Sequence, residues 1–182
     1  WQVLPLGPTG YGDSPYQCFS AFAGNPFLVS PALLLDQKLL TRKHLLDRPN
    51  FPADRVDFGP VIEWKIKLLD RAYRNFQKSK NQQIIQSYTD FCELQSSWLD
   101  DYALFMAIKE DQGGRSWDNW PVELRSRNTE SLLEFSRMKS DSIKKQKFRQ
   151  FLFFESAIPR NIHSLGHFLE IMNGSLFQGG QI

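Results

Sequence analysis

Cysteine, histidine and long apolar runs are scarce in this sequence, and each scarcity closes off a class of function. There are 2 cysteines, Cys18 and Cys92, and 3 histidines, His44, His163 and His167. The thiols lie far apart and form no C-x-x-C, so neither a zinc ribbon nor a disulfide framework is expected. Two reduced thiols in a cytoplasmic protein is the plain reading. His163 and His167 have the i, i+4 spacing of a zinc pair, but Ser164 stands where the zinc-peptidase helix carries Glu, and no third ligand is evident; no metal is expected. No histidine has a patterned acidic or cysteine partner and there is no G-x-S-x-G, which argues against Ser–His–Asp chemistry. The run GPTGYG at 7–12 lacks a following Lys-Ser or Lys-Thr and leads into a loop. It fits neither a phosphate-binding loop nor a dinucleotide fingerprint, and no cofactor is expected. No apolar run approaches the ~18 residues that span a membrane. Neither sign of charge dominates, with 22 Lys and Arg against 20 Asp and Glu, so neither nucleic acid nor an anionic membrane is an expected partner. The chain begins at Trp1, with no Met and no leader, and reads as a strand entered halfway.

What remains is an aromatic, globular chain. Of its 182 residues, 41% are hydrophobic and 23% charged, ordinary values for one soluble domain with a sizeable core. Aromatics make up 14%, including 5 Trp. Most aromatics belong in cores. Tyr11, Tyr16, Trp117 and Trp120, however, lie near loops, where a ring can stack on the C–H face of a sugar. The segment LPLGPTGYGDSPYQCFSAFAGNP at 4–26 concentrates Gly, Pro, Tyr and Phe. A loop of this length in a compact domain is usually functional or disordered, and its aromatic content argues against disorder. Within YGDSPY, Gly12 supplies backbone freedom, Pro15 fixes φ, and the Asp13 carboxylate and Ser14 hydroxyl can bond backbone N–H groups two residues on. Asp13 is read as the turn-holding residue, with Ser14 and Tyr16 presented to a ligand.

Organisation follows from the punctuation. Trp1–Leu6 is apolar and β-favouring and stops at Gly7-Pro8, which predicts a short buried strand. Ser30 and Pro31 form a helix start for PALLLDQKLL. After a second proline-bounded connection at 49–60, VIEWKIKLLDRAYRNFQKS places Ile62, Ile66, Leu69, Tyr73 and Phe76 on one stripe. A third helical stretch, NQQIIQSYTDFCELQSS, precedes SWLDDYALFMAIKEDQGG. There Trp98, Tyr102, Phe105 and Met106 share a face, and Gly113-Gly114 ends the run. SWDNWPVELR is a turn, and NTESLLEFSRMKSDSIKKQKFRQFLFF is one last long helix. The pattern is a strand and a loop followed by a cluster of about four helices. Asp100 and Asp101 lie near a helix start, where acids complement the dipole, and are read as structural. No pair of carboxylates stands out for glycoside chemistry.

The stretch WQVLPLGPTGYGDSPYQCFSAFAGNPFL closely resembles the first barrel strand and following loop of the 4-α-glucanotransferases of glycoside hydrolase family 77, also called amylomaltases or disproportionating enzymes. PNFPADRVDFGPVIEWKIKLLDRAYRNF, SWLDDYALFMAIKEDQGGRSWDNWP and FRQFLFF extend the resemblance to residue 154. It implies an α/β fold, the N-terminal part of a (β/α)8 TIM barrel with a helical insertion. Residues 1–30 would hold the first strand and the active-site loop. Residues 31–154 would hold the insertion and the helix leading to the second strand. The implied activity is transfer of α-1,4-glucan segments between maltooligosaccharides, or to glucose as acceptor, in starch and glycogen metabolism in the cytoplasm. The mechanism implied is retaining double displacement, in which a carboxylate forms a glycosyl-enzyme that another glucan then attacks. Tyr11, Ser14 and Tyr16 would contact the glucan, with Asp13 supporting the loop. The family's nucleophile, acid/base and third stabilising carboxylate lie on later strands, and none of those motifs occurs here. The chain is therefore read as an N-terminal fragment with no catalytic residue of its own. Residues 155–182 do not align with the family. They read as frameshifted or wrongly joined sequence, or as divergence, and are expected to be poorly ordered unless HSLGHFLEIM docks as a helix through Leu165, Phe168, Leu169 and Met172. Two other readings stay open: a non-catalytic glucan-binding module, and a helical interaction protein.

Overall fold

The computed structural model describes residues 5–10, 12, 14 and 16–157. Helices α1 (Pro31–Asp36), α2 (Phe58–Gln77), α3 (Gln82–Leu94), α4 (Ser96–Asp111), α5 (Val122–Arg125), α6 (Thr129–Met138) and α7 (Ser140–Ala157) follow one another, with short 3-10 turns at Pro26–Leu28, Arg42–Leu45 and Trp117–Asn119. Among the described residues there is no strand. Of the strand expected at 1–6, the first four residues lie outside those described. Pro5 and Leu6 have no regular structure, and Leu6 instead accepts a hydrogen bond from the backbone of Asn25 at 2.7 Å. Of the tail 155–182 that was expected to be poorly ordered, residues 155–157 are instead the end of α7, and the rest lies outside the described residues. No helix among those described is long and apolar enough to cross a membrane.

Helix α7 is the centre of the molecule. Phe148, Phe151, Leu152, Phe153 and Phe154 are all buried. The run Phe151–Phe154 is apolar on every side of the helix and has to be surrounded, and α2, α3, α4 and α6 all pack against α7. Helix α2 contributes Leu68, Leu69, Ala72 and Tyr73, α3 contributes Ile84 and Phe91, and α4 contributes Leu99. Phe76 stacks on Phe148 at a centroid distance of 4.7 Å. The expected α2 stripe is buried at Leu69 and Tyr73, while Ile62 and Ile66 are half-buried. On the other side of α4, Ala107 and Ile108 meet Trp120 and Phe135 in a second, smaller cluster.

Two helix boundaries differ from the sequence reading. The helix expected over 31–40 ends at Asp36. Lys38 takes a left-handed φ of 58°, and the backbone N–H groups of Leu39 and Leu40 both return to the carbonyl of Leu34. That turn buries Leu39 and Leu40, which a continued helix would not do. The last long helix is two helices. Lys139 breaks it at φ −111°, ψ 26°. Asp141, in the first turn of α7, accepts hydrogen bonds from Tyr73 Oη at 2.9 Å and Gln77 Nε2 at 2.6 Å. Ser and Asp side chains favour helix starts over helix interiors, and here α2 supplies the partners. The end of α4 is as expected: Gly113 and Gly114 have φ of 64° and 78°, and Gly114 N–H closes on the carbonyl of Lys109 at 2.8 Å.

Candidate functional site

The long loop is stapled down at its ends and free at its tip. The Asn25–Leu6 bond closes its base. Next to it, Gln150 of α7, only 1% exposed, grips the backbone of Gly24 at both polar atoms. Gly24 N–H donates to Oε1 at 2.8 Å, and Nε2 donates to the Gly24 carbonyl at 2.9 Å and to Tyr102 Oη at 3.3 Å. The side-chain amide thus replaces a neighbouring strand. Only glycine permits this approach, because a Cβ at position 24 would sit 2.0 Å from the Phe153 ring. The loop also packs on itself, and a Cβ at Gly10 would fall 2.0 Å from the carbonyl oxygen of Gln17. The glycine content of the loop therefore reflects close backbone approach as well as turning freedom.

Around this base the loop presents aromatic rings. Tyr16 is 72% exposed and Phe22 60%. Phe22 stacks on Trp98 with planes 24° apart, and Phe19 lies against Phe105 of α4 with Lys109 Nζ 4.9 Å from its ring centre. The half-buried Ser14 holds the tip turn. Its Oγ accepts from Tyr16 N–H at 3.3 Å and its carbonyl from Gln17 N–H at 3.4 Å. So Ser14 and Tyr16 are brought together, with the serine in the turn-holding part that the sequence reading gave chiefly to Asp13. Tyr11 and Asp13 lie outside the described residues.

Beneath the loop is a cavity of about 230 Å³ walled by Pro8, Phe19, Phe27, Ile66, Tyr102 and Arg149. Arg149 donates to Asp70 at 2.8 Å, while its Nε is buried without a partner. Nearby, burial pushes the Glu110 carboxyl up. Hydrogen bonds from Lys145 and Gln146, with the charges of Arg149 and Lys145, outweigh that and hold it below its ordinary range. Burial lowers the Lys65 ammonium, which donates to the Val29 carbonyl at 2.6 Å behind the loop. These acids and bases serve structural pairs. Asp100 and Asp101 diverge to Lys147 and Arg127. Among the described residues no cluster of three or more His, Cys, Asp or Glu is placed to hold a metal.

The sequence reading missed Gln150. A lone amide inside the apolar run FRQFLFF was the available signal, since a buried polar group requires a partner.

Residues 1–160 match the family model described as 4-alpha-glucanotransferase. The chain belongs to that family. It is 42% identical over 168 residues to the 4-alpha-glucanotransferase of Thermus thermophilus, covering 91% of this chain and 33% of the relative. To that of Synechocystis sp. it is 41% identical over 154 residues, covering 85% of this chain and 30% of the relative. Among solved structures it is similar to the amylomaltase from Streptococcus agalactiae in complex with acarbose, with a TM-score of 0.77 and 33% identity over 86% of this chain and 31% of that one. The chain thus spans about a third of the length of these relatives.

Proposed function

We propose that this chain forms one wall of the glucan cleft of a 4-α-glucanotransferase. The observation that carries the reading is the loop itself, a clamped base beneath an exposed Tyr16 held beside Ser14. In this reading the protein acts in the cytoplasm on maltooligosaccharides and longer α-1,4-glucans, with glucose as an acceptor. Residues 1–30 supply the first strand and active-site loop of a (β/α)8 barrel, and 31–154 supply the helical insertion that buttresses it. In such barrels the loops after the strands build the active site. Tyr16 stacks on a glucose ring and offers its hydroxyl to a sugar oxygen, Ser14 leaves room for the chain to approach, and Tyr11 and Asp13 line and support the same cleft. The reaction is retaining transfer, and the nucleophile and acid/base come from outside these residues. The acarbose-bound amylomaltase and the family match support this assignment.

A chimera tests it. Residues 1–157 would replace the matching segment of the Thermus thermophilus relative, and glucose release from maltotriose would be followed. A folded chimera that disproportionates maltotriose supports the proposal. A folded chimera with no transfer contradicts it.

A further inference from the structure

The outer face of α2 carries Lys67, Arg71 and Arg74, whose i, i+4, i+7 spacing sets them in one row. They line a groove of about 540 Å³ between this helix and the turn at 44–49, a volume in the range of small-molecule sites. No residue of the long loop lines it. We propose that the groove binds a phosphorylated small molecule, a phosphate ester of sugar-phosphate or nucleotide size. The inference is independent of the glucan reading.

Charge points to an anion. None of the three cations has a hydrogen bond or ion pair among the described residues, and like charges one turn apart on a helix repel. Asp70, on the same helix, is engaged elsewhere and accepts from Arg149 at 2.8 Å. Glu63 and Asp47 also line the groove and have no partner among the described residues. Three unpaired cations thus face two unpaired carboxylates. A neutral glucan leaves that surplus unmet, whereas an anion neutralises it.

Donor chemistry narrows the anion to phosphate. Trp64 Nε1 is buried in the wall of the groove without a partner, and a buried donor left unmet calls for an acceptor. Its ring is held edge-on by Phe51 at 5.7 Å. His44 Nδ1 accepts from Thr41 N–H at 3.1 Å, which leaves Nε2 to carry the proton and donate. With an ammonium and two guanidinium forks beside them, the groove is rich in donors, and the forks match phosphate oxygens with paired bonds. Pro49, Pro60 and Leu68 complete the lining. They offer an apolar surface to the organic body that inorganic phosphate lacks. Nucleic acid needs basic surface beyond one groove, and a net charge of +2 does not supply it.

The test is isothermal titration calorimetry on the whole 182-residue chain, with AMP, glucose 6-phosphate and inorganic phosphate as probes. Saturable binding of at least one ester is expected, with inorganic phosphate weaker and with glucose unable to displace the ester. Arg71 and Arg74 are exposed. Arg71→Gln combined with Arg74→Gln should therefore keep the melting temperature and weaken the ester by about tenfold or more, the worth of a charge-assisted bond. Glu63→Gln removes a facing carboxylate and should tighten it. Arg137→Gln combined with Lys144→Gln makes the same change of charge outside the groove and should leave affinity unchanged. Preference for AMP identifies a nucleotide, preference for glucose 6-phosphate a sugar phosphate, and either supports the proposal. Equal losses in the two double variants would mean diffuse charge attraction and overturn it. So would inorganic phosphate bound as tightly as both esters, or no saturable binding of any probe.

Discussion

Tyr16 and Gln150 do different work, and substitution separates them. Tyr16 stands 72% exposed at the loop tip, so its loss should leave folding almost untouched. Gln150 is buried and saturates the N–H and carbonyl of Gly24. Gln150→Leu strands both groups, at about 1–3 kcal/mol for each unmet partner. Gln150→Glu should be no better, since it keeps an acceptor for the N–H but sets a carboxylate against the carbonyl. Gly24→Ala drives a methyl into the Phe153 ring, and overpacking of this kind costs about 1–3 kcal/mol. Urea denaturation should rank all three well below Tyr16→Ala in stability. Wild-type stability for Gln150→Leu would show that the clamp is incidental. The exposed Tyr16 was legible in the sequence, because it follows the turn-forming residues Gly12, Ser14 and Pro15. The clamp was not legible, because its two halves lie 126 residues apart and the partner of a buried amide is a property of packing.

Helix ends were read well where local chemistry decided them and badly where tertiary contacts did. Gly113-Gly114 closes α4 by local geometry alone. Both residues have positive φ and open space around them, so alanine at either should cost about 1–2 kcal/mol through backbone conformation, visible as a lower melting temperature without change in oligomeric state. The break at Lys139 and the turn at Lys38 escaped the reading because they answer to Tyr73 and Gln77 of α2 and to the burial of Leu39 and Leu40. Between α4 and α7, Glu110 takes hydrogen bonds from Lys145 and Gln146 at 2.8 Å each. Its carboxyl is held below the ordinary value of 4.5. Its contribution is therefore present above pH 4.5 and lost as pH falls through the lower folded value. Glu110 is 41% exposed, so the effect is small. Glu110→Gln should lower the melting temperature at neutral pH and have progressively less effect as pH falls below 4.5. Parallel curves at all pH would show that the charge is irrelevant.

At the scale of the molecule, the described residues form an all-helical body that carries a loop whose ends are fixed and which exposes Tyr16. The family match covers residues 1–160, and the chain spans about a third of its relatives. From the resemblance the chain alone is expected to release no glucose from maltotriose, since the acid/base pair supplies orders of magnitude of rate. Glucose above a heat-killed control would contradict this. The sequence carried the family through the loop motif and three further segments that extend to residue 154. It did not show how that loop is mounted, because the mount is α7, whose surroundings come from four other helices. The most direct test of the central claim, that the loop tip touches glucan, is kcat/KM for maltotriose in the chimera with Tyr16 varied. Tyr16→Phe should lose one hydrogen bond, about 0.5–1.5 kcal/mol, and Tyr16→Ala should lose more because stacking goes as well, both with unchanged melting temperature. Wild-type kcat/KM in Tyr16→Ala would make the loop purely architectural and contradict the account.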